Sequence, residues 1–204
     1  MTARSLILVH GAGSGPWIWD GWEDAFGGLS ITAIDLHRGR DVGAASMWDY
    51  EASIYQAAEV LPTPLALCGW SMGGLLAAMA SRTLRPEAVV MLEPSPPAEV
   101  QGEDHDAPLE RGTYDPEEVY GPFPEGMAPR PDSLLARAER KRGISIPSLP
   151  CRSLVIAGSA FPEVRGTRVA AHFGSELLEL PDVDHWGLVL DPRVPLAVAG
   201  FLTA

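Results

Sequence analysis

Short runs rich in apolar residues recur along the chain at Ser5–Val9, Ser30–Leu36, Pro64–Cys68, Ala88–Leu92, Ser153–Ala157 and Glu176–Leu180. Each has the length and composition of a strand. Between them the apolar positions space out to a helical period. Pro16–Phe26, Met47–Leu61, Met72–Thr83, Thr167–Phe173 and Pro195–Leu202 read as helices, the second with an apolar stripe of Trp48, Ile54, Tyr55, Ala58 and Leu61. Strands that alternate with helices are joined by crossovers. The pattern therefore predicts an α/β fold, a mostly parallel sheet of about six strands with helices on both faces.

One segment breaks the rhythm. Residues 94–150 hold more than half of the chain's 19 prolines, together with acidic clusters at Glu103–Asp106 and Asp115–Glu118. Proline removes backbone donors, so this segment must leave the sheet. Within it Ser133–Lys141 has helical spacing and a serine in cap position. Excursions of this length are lids, binding loops or solvated loops, and a lid within one domain spanning 1–204 is the expectation.

Composition narrows the partners. A formal charge of −12 argues against nucleic acid or an anionic membrane, because both need a basic face. A small-molecule partner is expected instead. Two cysteines make no disulfide framework, and Cys68, at the end of an apolar strand, reads as a small buried residue. No cysteine pair or His-x-x-x-His spacing points to a metal, and no cofactor is expected. The segment "MTARSLILVHG" is too short and too weakly apolar for a leader or a membrane span, so a soluble cytoplasmic protein is expected.

The chemistry begins in "LALCGWSMGGLLAAMAS", residues 65–81, where a buried strand meets a buried helix with no polar loop between. Strand, Gly-x-Ser-x-Gly, helix is a nucleophile elbow, which lifts a serine hydroxyl clear of the sheet at a helix N-terminus. Ser71 is that serine. Gly69 and Gly73 leave room for the turn, and Gly74 lets the helix pack close to the sheet. In "LILVHGAGSGPWIW" a strand runs into His10-Gly11-Ala12-Gly13, whose flexible backbone can turn an N–H toward the serine. Together with the Met72 N–H, such a group would make a two-donor oxyanion hole. The glycine spacing is not that of a dinucleotide loop, and no Walker lysine follows.

In "LPDVDHWGLVLD", His185 follows the last predicted strand and is the candidate general base. His10 reads as structural. His37, His105 and His172, in a loop, the excursion and a helix, read as solvated or incidental.

These motifs, in this order, resemble the α/β-hydrolase superfamily over nearly the whole chain except residues 94–150, which fall where that family inserts its variable lid. The resemblance implies Ser71 as nucleophile, His185 as base, and Ala12 and Met72 as oxyanion donors. The family's sheet usually starts with two further strands, so this chain looks like a compact member. One departure concerns the acid. The family usually carries an aspartate after the penultimate strand, where this sequence has Phe161 in "VIAGSAFPEVRG". A minority place the acid one element earlier, where "VVMLEPSPP" ends its strand in Glu93. A carboxylate at the end of an apolar strand needs a partner, and strand ends face the crevice where chemistry occurs. Glu93 is the first candidate; Glu163, Asp182 and Asp184 stay open.

The resemblance and the motifs together imply a serine hydrolase acting on a small apolar ester through an acyl-enzyme. Trp17, Trp19, Trp70, Met72 and Trp186 are expected around an apolar pocket, with Tyr120 and Phe123 approaching from the excursion. Trp22 is expected to pack a helix on the sheet. The same scaffold supports cofactor-free lyases, C–C bond hydrolases and non-catalytic ligand-binding proteins, which are the alternatives. Dehalogenase and epoxide hydrolase relatives use an aspartate in place of Ser71.

Overall fold

The computed structural model describes residues 3–204, so the first two residues of the domain expected over 1–204 lie outside the described residues. The chain begins with β1 (Ser5–Val9), β2 (Ser30–Ile34), α1 (Met47–Ala58), β3 (Leu65–Trp70), α2 (Met72–Leu84) and β4 (Ala88–Leu92). The excursion then forms α3 (Ala98–Gln101), β5 (Thr113–Tyr114), α4 (Pro116–Tyr120), β6 (Asp132–Ser133) and α5 (Leu134–Arg142). It returns through β7 (Arg152–Ala157), α6 (Arg168–Phe173), β8 (Glu176–Glu179), α7 (Gly187–Leu190) and α8 (Arg193–Thr203).

Six strands form one sheet in the order β2-β1-β3-β4-β7-β8, and every neighbouring pair is parallel. Successive side chains point to opposite faces. On one face Ile7, Val9, Leu67, Val89, Met91 and Val155 pack against Tyr50 and Ile54 of α1, Leu75, Leu76 and Met79 of α2, and Val169 of α6. On the other, Leu6, Leu8, Cys68, Val90, Leu92 and Ile156 meet Trp19, Trp22 and Phe26, with Val194, Val198 and Phe201 of α8. Each fully buried Leu, Ile or Val contributes about 1.5–3 kcal/mol of transfer free energy. The four inner strands are covered on both faces, which is why they read as unbroken apolar runs. Edge strand β8 is largely exposed and carries Glu176 and Glu179.

Three elements depart from the pattern. The helix predicted at Pro16–Phe26 is two short 3₁₀ turns, Pro16–Trp19 and Trp22–Ala25, parted at Gly21 in a left-handed conformation (φ +82°). Strand β3 runs two residues beyond its predicted end, because Gly69 and Trp70 stay paired with Met91 and Leu92 of β4 despite glycine's low strand propensity. Helix α6 is preceded by a wide π turn at Pro162–Thr167.

The excursion is not a solvated loop. β5 and β6 pair as an antiparallel ribbon, and Tyr114, Asp132, Ser133, Ala136 and Ile146 are buried. Ser133 caps α5, accepting from the Ala136 N–H at 3.2 Å, and its hydroxyl donates to the Ala45 carbonyl at 2.5 Å. Among the described residues no helix is long and apolar enough to cross a membrane.

Candidate active site

The order in which strands are added to the sheet switches sides between β1 and β3, and the loops after β1, β3, β4 and β8 gather at the carboxyl ends of the strands, where ligands bind in open parallel sheets. Ser71 stands alone between β3 and α2 at φ +55° and ψ −117°. Such a conformation costs on the order of 1–3 kcal/mol and persists only where its surroundings hold it. Here the Ser71 N–H donates to the Leu92 carbonyl (3.0 Å), and the Ser71 carbonyl accepts from Gly74 (3.1 Å) and Ser95 (2.9 Å). A side chain on Gly69 would overlap the Gly73 carbonyl, and one on Gly73 the Val9 carbonyl. Gly74 faces Pro94 as well as the β3 end: a Cβ there would lie 2.8 Å from the Pro94 Cβ and 3.1 Å from the Gly69 oxygen.

Glu93, directly after β4, is also forced to positive φ (+37°). Its carboxylate is fully buried and has three donors. Gly158 and Phe161 donate backbone N–H groups to Oε1 at 2.8 and 3.2 Å, and His185 donates from Nδ1 to Oε2 at 2.6 Å. An ionised carboxylate only accepts, so Nδ1 carries the proton and Nε2 keeps its lone pair. Burial holds the His185 pKa below the ordinary 6.5; Glu93 opposes this, and the nearby Arg165 cation adds to it. Phe161, standing where an aspartate was expected, supplies a backbone N–H to the acid, and its ring makes a T-shaped contact with His185 (5.6 Å between centroids).

The other carboxylates considered are exposed. Glu163 is exposed on the π turn, Asp182 pairs with Arg193 at 2.7 Å, and Asp184 accepts from the Gly187 N–H at 2.7 Å.

The loop after β1 is pinned from two sides. Leu36 N–H donates to His10 Nε2 (3.1 Å) while His10 Nδ1 donates to the Gly11 carbonyl (2.9 Å). From the excursion, buried Asp132 accepts from the Gly13 N–H (2.7 Å), and the Arg130 N–H donates to the Gly13 carbonyl (2.8 Å). Asp132 also accepts from Tyr50 (2.7 Å), and His37, expected to be solvated, is buried 3.4 Å from it. Ala12 lies between these anchors. Met72 heads α2, where the first N–H groups find no intrahelical carbonyl.

Ala12, Ser71 and His185 open on one cavity of about 470 Å³. Trp70, Trp186, Phe123, Phe161 and Val119 form its apolar walls. The Trp70 ring lies 4.7 Å from both His185 and Trp186, and its Nε1–H donates to the His185 carbonyl at 2.9 Å. Trp17, expected in the pocket, is not part of this lining: it is partly buried and packs, like buried Trp19, in the core cluster on the α8 side of the sheet. Trp22 packs there too, donating to the Val189 carbonyl at 2.9 Å. Sequence reasoning missed Arg140 and Arg165, which also line the cavity; Arg140 lies in the basic last turn of α5. A second cavity of about 500 Å³, between α1, α2 and residues 143–145, holds none of these groups.

A family model described as the alpha/beta hydrolase family matches residues 6–199. No curated protein matches the chain in sequence. Among solved structures it is similar to polyneuridine aldehyde esterase (20% identity, 98% of each chain covered, TM-score 0.69). It is also similar to a thioesterase of the prodiginine pathway of Streptomyces coelicolor (21% identity, 98% and 89% covered, TM-score 0.66) and to a methylesterase from Arabidopsis (21% identity, 98% and 97% covered, TM-score 0.65). At such identities these likenesses show the fold.

Proposed function

The chain belongs to the alpha/beta hydrolase family, and from that premise we propose that it is a serine hydrolase of esters that works through an acyl-enzyme. The observation that carries this reading is the 2.6 Å hydrogen bond from His185 to a fully buried Glu93 beside a strained elbow serine. Glu93 fixes the imidazole with its lone pair on Nε2, so His185 takes the Ser71 proton as Oγ attacks the carbonyl. The N–H groups of Ala12 and Met72 receive the developing oxyanion, each worth about 2.7–4 kcal/mol. The alcohol leaves with the proton from His185, and water, activated by the same histidine, releases the acid. Trp70, Trp186 and Phe123 form the apolar side of the pocket, with residues 94–150 as its lid. Esterases and a thioesterase among the structural neighbours support an acyl substrate. Ser71→Ala should abolish turnover of a panel of 4-nitrophenyl esters, a loss on the order of 10⁶-fold in kcat. Full activity in that variant would overturn the reading.

A further inference from the structure

Arg165 and Arg140 stand in the cavity with no carboxylate in salt-bridge contact, although Glu93 acts on Arg165 and Asp132 on Arg140 through space. Three other arginines pair with acids: Arg193 with Asp182 and Asp191, Arg130 with Asp35, and Arg40 with Asp49. Among the described residues no carboxylate lies within 4.0 Å of Arg165 or Arg140, in a chain with 27 acidic residues and 15 basic ones. The Arg165 guanidinium carbon lies over the Phe161 ring, 4.1 Å from its centroid, with Nη1 3.5 Å from Ser71 Oγ. Arg140 reaches in from α5, held by the Ala136 carbonyl (3.4 Å), the Ser95 hydroxyl (3.5 Å) and the Tyr120 phenol. The nearby acids are committed. Glu93 serves His185, Gly158 and Phe161, and the Asp184 carboxylate, at the exposed rim, caps Gly187. The two half-buried cations face one space; Tyr120, Tyr114 and Asp132 support the Arg140 charge, whereas burial together with Arg140 pulls the Arg165 pKa down. An anion beside Arg165 would offset that cost.

We infer, on the serine-hydrolase reading above, that Arg165 and Arg140 bind a carboxylate carried by the substrate, and that the preferred substrates are half-esters of short dicarboxylic acids. Geometry sets the class. The attacked carbon must come within about 3–3.5 Å of Ser71 Oγ, and a carboxylate oxygen sits about 2.7–2.9 Å from the guanidinium that binds it. With Arg165 Nη1 only 3.5 Å from Oγ, the carboxylate lies a few bonds from the scissile carbonyl. An anion at the far end of a long leaving group falls outside that reach. The planar guanidinium suits a carboxylate, which it grips with two parallel hydrogen bonds. Hydrolysis breaks the acyl–oxygen bond of the half-ester. Water supplies hydroxyl to the acyl carbon and a proton to the alcohol; the new carboxylic acid then ionises, leaving a dicarboxylate, a free alcohol and one released proton.

The test compares monoethyl succinate with ethyl succinamate, which has the same shape but an amide in place of the carboxylate. Initial rates are followed by pH-stat at fixed ionic strength for the wild type and for Arg165→Gln, Arg165→Lys and Arg140→Gln. The wild type should prefer the half-ester by at least about 10-fold in kcat/KM, and Arg165→Gln should cut that preference by about 10–100-fold, the size of a charge-assisted hydrogen bond. Arg165→Lys should restore part of it, and Arg140→Gln should weaken it mainly through KM. A neutral fluorophosphonate, applied in parallel, separates the two ideas. If it labels Ser71 while the wild type shows no preference for the half-ester, or turns over neither ester, the carboxylate inference fails alone. If it does not label Ser71, the serine-hydrolase reading fails, and the inference with it.

Discussion

Replacing Glu93 with glutamine alters one atom at the least accessible point of the site. The carboxylate accepts three hydrogen bonds, two from the backbone of Gly158 and Phe161 and one from His185. An amide has a single accepting oxygen. If that oxygen keeps the two backbone donors, its NH₂ faces Nδ1, and the imidazole must move its proton to Nε2, where it can no longer accept from Ser71. If the amide flips, its NH₂ meets two N–H groups and leaves them unsatisfied. Either way the base is lost or the pocket is strained.

Amidation of a triad acid costs on the order of 10⁴ in kcat, or about 5–6 kcal/mol. The stability cost is smaller. One hydrogen bond is lost and the others fall from charge-assisted to neutral strength, about 2–3 kcal/mol together. At roughly 2–4 °C per kcal/mol for a chain of this size, the melting temperature should fall by about 5–10 °C, leaving a folded protein at 25 °C. The assay is kcat on 4-nitrophenyl acetate, with circular dichroism to verify the fold and Glu163→Gln as the control. A folded Glu93→Gln variant within 10-fold of wild-type kcat, or a comparable loss in Glu163→Gln, would refute the assignment of the acid.

Further consequences follow from the same geometry. Because burial and Arg165 hold the His185 pKa below 6.5, and the base works unprotonated, the acid limb of kcat/KM should have its midpoint below pH 6.5. Arg165→Gln removes one lowering influence, so the limb should move to higher pH; a shift the other way contradicts the assignment. Gly69→Ala drives a methyl into the Gly73 carbonyl and should cost at least about 1–3 kcal/mol, read as a lower melting temperature together with lost activity. Asp132→Asn should lower stability by about 1–3 kcal/mol at pH 7 and slow catalysis by loosening Gly13. Burial works to raise the Asp132 pKa, but hydrogen bonds to the carboxylate outweigh it and hold the group well below 3.8 when folded. Its stabilisation is therefore full above about pH 4 and fades as the pH falls below that. The melting curves of wild type and Asp132→Asn should converge in acid, and a gap that stays constant to pH 2 would count against the role.

Much of the scaffold was legible because buried parallel strands leave unbroken apolar runs, and all six strands fell within about two residues of their observed ends. Ser71 was legible because the abrupt strand-to-helix join admits few side chains at Gly69 and Gly73. Glu93 was only one of several open acids, since nothing local says which carboxylate a histidine 92 residues away will meet. That contact depends on β4 and β8 lying two places apart in the sheet. The first helix failed because Ile18, Trp22 and Phe26 are spaced by four, as on one helix face, whereas Gly21 divides the segment into two turns. The cavity arginines were illegible for a related reason. Arg140 sits in "AERKR", a run that does not tell which charge faces the site until α5 is folded over it.

The central claim, that Ser71 is an activated nucleophile driven by His185, is tested most directly by a neutral fluorophosphonate followed by peptide mass spectrometry. That reagent requires a working serine, base and oxyanion hole but little of the substrate. The account expects one adduct, on Ser71, whose formation slows by several orders of magnitude in His185→Ala. A folded protein that stays unlabelled, or that is labelled at another residue, would contradict it.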